Sequence, residues 1–487
     1  MKKFIFFSLV LFTMGGCTKD LTHLNNDPKN PSVVPSYTLF TQAQVNMANT
    51  LGTPSVNTNI FELIVQYWQE TTYTDESNYD LGTRAIPDSW WNAWYRSVLN
   101  NLQLAKGLAA TDVTDPGVQK NDLALIDIMQ VYAYYVLVNT YGDIPYTQAL
   151  DPNNPFPKYD DAKTIELDLI TRLNNDIAAL NPSAGSFGNA DLIYGGNVSE
   201  WLKFANSVKL KVGILLSDVD EATAKTAVES AVTAGVFTSN DDNALLPYES
   251  TPPNTNQIWV NLVQSGRLDF VANSTIVKIM SPNKDPRMPY YFTYDANGGY
   301  SGGDPGKGSS FSLLSKPGGL TKILYADPTD IGHIADPNYP GDIMDYSEVE
   351  FYLAEAASRG FNVPGTAEEH YNKAITASII FWGGTAQQAA DYLAEPSVNW
   401  ATAAGDWKEK IGVQAYIAFY TRGFDEWTEF RRLDQPPLQA PSSALNDFPM
   451  RYQYPAKEQN VNEPNFKAAS DAIGGDVVKT KLFWDVH

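Results

Sequence analysis

Cysteine is nearly absent: a single one, Cys17, stands in 487 residues. No intramolecular disulfide can form, so the fold must rest on a buried apolar core, which a chain of this length can build. Histidine is almost as scarce. Only His23, His333, His370 and His487 occur, isolated from one another. There is also no His-Glu-x-x-His, no Gly-x-Ser-x-Gly and no P-loop, so the common signatures of zinc hydrolases, serine hydrolases and nucleotidases are missing. Positive charge is short as well: 34 Lys and Arg face 56 Asp and Glu, for a formal net charge of −22, and no basic run exceeds two residues. A polyanion demands a basic patch, so nucleic acid is not an expected partner. The acid is dispersed along the chain, as on a solvated surface.

The one thiol sits at a telling place. Lys2 and Lys3 precede an apolar run, Phe4 to Met14, that ends in Met14-Gly15-Gly16-Cys17. Eleven residues are too few for a membrane span, which needs about 18 to 20, but they suit the core of an export signal. The pattern resembles a bacterial lipobox, which implies cleavage before Cys17 and acylation of its sulfur and of the new N-terminus. Residues 1–16 are then a leader, 17–36 a lipidated, Asn- and Pro-rich tether, and 37–487 the folded domain. Acyl chains would supply the only membrane anchor.

Within that domain the periodicity is helical. In "PDSWWNAWYRSVLNNLQLAKGL" the residues Trp91, Trp94, Tyr95, Val98, Leu102 and Ala105 recur at three- and four-residue steps, with Pro87 suited to a first turn. Such a stripe reads as a buried face. Others run through Ile165, Leu169, Leu173, Ile177 and Leu180, and through Trp201, Ala205, Val208, Val212 and Leu215, where Ser199 is a candidate cap. Further on, "DYSEVEFYLAEAASRG" and "GTAEEHYNKAITASIIFWG" predict an adjacent helix pair, the second opened by a Thr366/Glu369 capping box. Ala367, Tyr371 and Ala374 match the small-large-small core of a tetratricopeptide second helix, with Ala354 facing them. Periodicity fails over about 239–340 and in "ETTYTDESNYDLGTRAIP", where Trp and Tyr argue for ordered surface loops. The expected fold is mostly α: a single helical domain with tetratricopeptide-like pairs and long irregular loops.

Taken in order, "DLTHLNNDPKNP", "NTYGDIPYTQAL", "SEWLKFANSVKLKVGILL", "DYSEVEFYLAEAASRG", "GFDEWTEFRRLDQP" and "RYQYPAKEQNVN" resemble the SusD-like (SusD/RagB) family of Bacteroidetes outer-membrane nutrient-binding lipoproteins, over nearly the whole chain. Most of these marks read as structural. In "YGDIPY", Gly142 and Pro145 end a helix and force an extended turn, and Arg431 and Arg432 fall at a helix end, where they meet its negative pole. The resemblance implies a non-enzymatic protein, lipid-anchored in the outer membrane and facing the exterior. It would capture an oligosaccharide and hand it to a SusC-like TonB-dependent barrel, with no cofactor. A peptide-binding member of the family, and a secreted helical glycoside hydrolase, are the alternatives.

Sugar recognition sets its own residue requirements: apolar pyranose faces stack on aromatic rings, while hydroxyls bond to Asn, Asp, Arg and Tyr. Loop residues that fit are Tyr73, Asn78 and Tyr79 in the first irregular stretch, and Trp259, Arg267, Tyr294 and Tyr300 in the second. Trp259 stands outside every helical stripe. Asp295, Asn297 and Gly298 faintly echo a calcium loop but lack its ligand series and closing Glu, so no metal site is expected.

Overall fold

The computed structural model describes residues 34–318, 334 and 336–487. The leader, Cys17, the tether up to residue 33, His23 and His333 lie outside the described residues. Ser36 opens helix α1 (Ser36–Gly52), and its backbone and hydroxyl both bond to the Asp112 carboxylate, at 2.9 and 3.0 Å.

The Trp-rich segment is helical throughout, but not uniformly so. An α turn (Ile86–Asn92) widens into a π segment (Ala93–Leu99) and resumes as α2 (Asn100–Asp112). Trp90, Trp91, Trp94, Val98, Leu102 and Ala105 are buried, so the stripe is core. Next comes α3 (Pro116–Tyr141), started by Asp115, whose carboxylate accepts from Gly117 N and Val118 N, and stopped at Gly142 with φ 85°. It is apolar on all sides, and nearly every residue after Asn121 is buried. By length and composition α3 could cross a membrane, but it is enclosed by the domain, as a central core helix is.

Helices α4 (Ala162–Ala179) and α5 (Val198–Leu215) pack against α3 and each other, and α6 (Glu221–Ala234) packs on α5. The cap of α5 is Asn197, two residues earlier than the expected Ser199, whose N–H it accepts from at 3.0 Å. The predicted pair is α7 (Tyr346–Ser358) and α8 (Ala367–Phe381), with both halves of the Thr366/Glu369 capping box made. Ala354, Tyr371 and Ala374 are buried together in a second core, shared with α9 (Trp407–Ala418). His370 packs between the Glu350 carboxylate and Pro364 O. Helix α10 (Gly423–Leu433) returns to the main core.

The recurring motifs turn out to be joints of this scaffold. Lys211 of α5 stands 2.7 Å from Glu348 of α7 and 2.5 Å from Asp425 of α10, all three buried, and Arg422 closes the network on both carboxylates. Arg431 reaches beyond its own helix: it donates to Trp427 O, but also to Met450 O and to Asn139 O in the last turn of α3. Arg432 is held by Glu355 and Glu429, and Arg451 donates twice to Tyr141 O. Buried charges need such partners.

Two small antiparallel ribbons were not foreseen. Strand β1 (Trp68–Glu70) pairs with β3 (Phe270–Ala272), and β2 (Ala244–Leu246) with β4 (Gly341–Met344). Each has only three or four residues, and β1 and β3 are buried on both faces, so no alternation marks them.

Candidate ligand face

The β1–β3 ribbon fastens the first irregular stretch to the second. Beyond its end, Thr71 N donates to Asp269 O at 2.8 Å and Thr71 Oγ1 to Leu268 O at 2.7 Å, while Ser309 N donates to Thr71 O. On the other side of β3, Ala272 N bonds to Ser315 O, Gly303 N to Ala272 O and Ser301 N to the Ser315 hydroxyl, which draws residues 301–303 and 315 into the same mat. A third segment joins from beyond α10: Gln66 Nε2 donates to Gln439 O at 2.6 Å, and Leu445 N to Asn78 O at 2.8 Å.

Asn78 is the pivot. Its amide donates to Gly306 O at 2.8 Å and to Thr74 O at 2.7 Å, and its oxygen accepts from the Ser443 hydroxyl at 2.6 Å. Gly306 has φ 73°, and a Cβ there would stand 2.5 Å from Asn78 Oδ1 and 2.6 Å from Pro441 Cβ, so only glycine fits. Beside this junction Gln66, Thr275, Asp304, Lys307, Leu438 and Gln439 help line a cavity of about 460 Å³.

The expected sugar contacts divide accordingly. Tyr79 is a correction: it is 0% exposed, its hydroxyl donating to Ile64 O, so its ring belongs to the core and offers no face to a ligand. Asn78, buried with its donors and acceptor occupied, likewise serves the loop junction in place of a ligand. Tyr73, by contrast, stands 72% exposed two residues past the pinned Thr71. Arg267 is exposed and paired with Asp269 at 2.6 Å. Tyr294 is 49% exposed, and its ring lies 5.3 Å from that of half-buried Tyr300 at 44°. Burial and the neighbouring phenol push the Tyr300 pKa to about 12, so its hydroxyl stays neutral. Leu268 and Leu313 add exposed apolar surface that the sequence reading passed over.

Trp259 is placed differently. It is half-buried in a short helix (Gln257–Trp259) that Asn256 caps and that packs against α1. Asp295 spends one carboxylate oxygen on its own turn, accepting from Asn297 N and Gly299 N at 2.8 and 3.0 Å.

One carboxyl under the face is perturbed. Glu70 is buried, accepts from Ser77 N at 2.8 Å, and has its pKa raised to about 8 by burial, with Glu76 alongside adding repulsion. It is a protonated clasp for the first loop at neutral pH, facing inward.

Comparison with known proteins bears on this geometry. A SusD-like family model, described as starch-binding and associating with the outer membrane, matches residues 28–455. Among solved structures, one described as a chitin-binding protein is 26% identical with a TM-score of 0.78, and covers 93% of this chain and 100% of its own. A SusD homologue from Bacteroides uniformis gives the same identity, TM-score and coverage. A chitin-binding SusD homologue from Flavobacterium johnsoniae, 24% identical with a TM-score of 0.76, covers 93% of this chain and 99% of its own. No curated protein matches the sequence.

Proposed function

The chain belongs to the SusD-like family, and from that premise we propose that it is a lipid-anchored outer-membrane protein that captures a neutral oligosaccharide on its loop face. It passes the sugar to a SusC-like TonB-dependent barrel, held near the membrane by acylated Cys17 and its tether, which raises the effective concentration of the pair. The observation that carries the reading is the hydrogen-bonded mat on which Tyr73 and Tyr294 stand exposed. Rigid rings presented without loss of loop entropy are what stacking on a pyranose face requires. Arg267 is the exposed hydrogen-bonding group beside them, while the Tyr300 hydroxyl is buried and its ring packs against that of Tyr294. The similar chitin-binding protein makes β-linked N-acetylglucosamine oligomers the first ligands to try.

Binding without turnover is the chemistry favoured. Glu70, the perturbed carboxyl nearest the face, is buried beneath it and committed to Ser77. Glycan and peptide arrays probed with the full chain, followed by a product assay on every glycan bound, test the reading. Retention of glycans unchanged supports it; capture of peptides alone, or cleavage of a bound glycan, overturns it.

A further inference from the structure

A second groove lies along the outer side of α1 and shares no lining residue with the cavity beside the mat. With a volume of about 750 Å³, it is the roomier of the two and within the range of ligand sites. Its walls are the turn at Asn189–Leu192 and the segment Leu246–Thr255, and both are fastened to α1: Thr41 Oγ1 donates to Ala190 O at 2.6 Å, and Tyr248 OH to Asn49 Oδ1 at 2.7 Å. Asn256, just beyond, is tied to Pro337 O and Tyr339 O. The groove is therefore preformed, and little ordering is needed on binding.

Its chemistry is uniform. The floor has apolar patches from Val45, Leu192, Leu246 and Pro247, and Tyr37, 51% exposed, stands at the side. Around these are side-chain amides and hydroxyls, with one carboxylate, Glu249, and, among the described residues, no cation. Thr255 is buried in the wall, and its hydroxyl has no partner there. Amides both donate and accept, as sugar hydroxyls do, and the Glu249 carboxylate disfavours phosphates and uronic acids. We propose that this groove is a second binding site for a neutral oligosaccharide, stacked on Tyr37 and bonded by Gln42 and its neighbours. It is independent of the loop-face reading, and together the two sites would let one protein grip a long chain at two points.

The test uses the full chain in detergent, titrated calorimetrically with N-acetylchitohexaose, cellohexaose, maltoheptaose and, as an acidic probe, an oligogalacturonate. Three forms are compared: wild type, a loop-face variant (Tyr73→Ala with Tyr294→Ala), and that variant carrying also Tyr37→Ala and Gln42→Ala. Since Tyr37 and Gln42 are exposed, melting temperatures should agree. The loop-face variant is expected to retain binding of a neutral probe, and the groove substitutions to weaken that binding at least tenfold, with no binding of the acidic probe. Should the loop-face changes alter nothing while the groove changes abolish binding, the groove stands and the loop-face reading falls. Absence of every neutral probe from the loop-face variant, or residual binding indifferent to Tyr37 and Gln42, overturns the inference. So does a groove that takes only peptides.

Discussion

The side-chain amide of Asn78 donates to the carbonyl of Gly306 at 2.8 Å, joining positions 228 residues apart. With Ser443 on its other side, this contact makes one surface of three irregular segments. Asn78→Ala removes a buried donor and acceptor and leaves their partners unpaired, at a cost of about 1–3 kcal/mol. Because the lost bonds are local, hydrogen exchange should quicken at residues 71–79 and 303–309 while the helices stay protected. Gly306→Ala should produce the same pattern through steric conflict with Asn78 and Pro441. Uniform loss of protection in every helix would contradict a local junction.

Lys211 neutralises Glu348 and Asp425 inside the core. Replacing it by Met keeps the apolar stem and strands two carboxylates against Arg422 alone. A loss of about 3–5 kcal/mol in urea unfolding is expected, as for other broken buried pairs. A change within experimental error would show that the network is not a structural joint.

Several buried carboxyls titrate upward: Glu166 to about 8, Asp176 to about 8, Glu62 to about 7 and Glu70 to about 8, in each case mainly through burial. Between the unfolded value of about 4.5 for Glu and these folded values, the native state holds more protons than the unfolded one. Stability is therefore full below that window and falls as pH rises through it. Glu348 has the opposite sign: its pKa is lowered to about 2 by Arg422 and Lys211, and its contribution, full above about pH 4.5, is lost as pH falls toward 2. Melting temperature should peak near pH 5 and decline toward pH 8. Glu166→Gln, which keeps the bond to Asn139, should flatten part of the decline. A melting temperature that climbs steadily from pH 5 to pH 8 would refute this assignment.

Cys17→Ser should release the protein from the membrane, since the lipid is proposed as its only anchor. Cell fractionation with a salt wash reads this directly. A variant that still sediments with outer membrane requires another anchor.

The scaffold was legible because its signals are periodic. The stripes at Trp91–Ala105 and Trp201–Leu215, the Thr366 box and the α7–α8 pair depend only on local spacing, which survives in the fold. The loop face was legible in composition alone. Tyr73 and Tyr79 are six residues apart in one polar stretch, yet one is exposed and the other is core. What separates them is a ribbon of three-residue strands and the Asn78 contact to residue 306, neither of which leaves a local pattern. Arg431 was placed correctly at a helix end, but its reach to Asn139 depends on how α10 meets α3. Trp259 stood outside every stripe because its helix is only three residues long before it widens.

The central claim, that sugar is held on the mat by rings the fold does not need, is tested most directly by calorimetric titration of N-acetylchitohexaose into wild type, Tyr73→Ala and Tyr294→Ala, each with a melting curve. Both tyrosines are exposed, so stability should change by no more than about 0.5 kcal/mol. Each substitution should cost about 1–3 kcal/mol of binding, by analogy with bases stacked on aromatic side chains. Unaltered affinity in both variants, with the melting temperature unchanged, would contradict the claim.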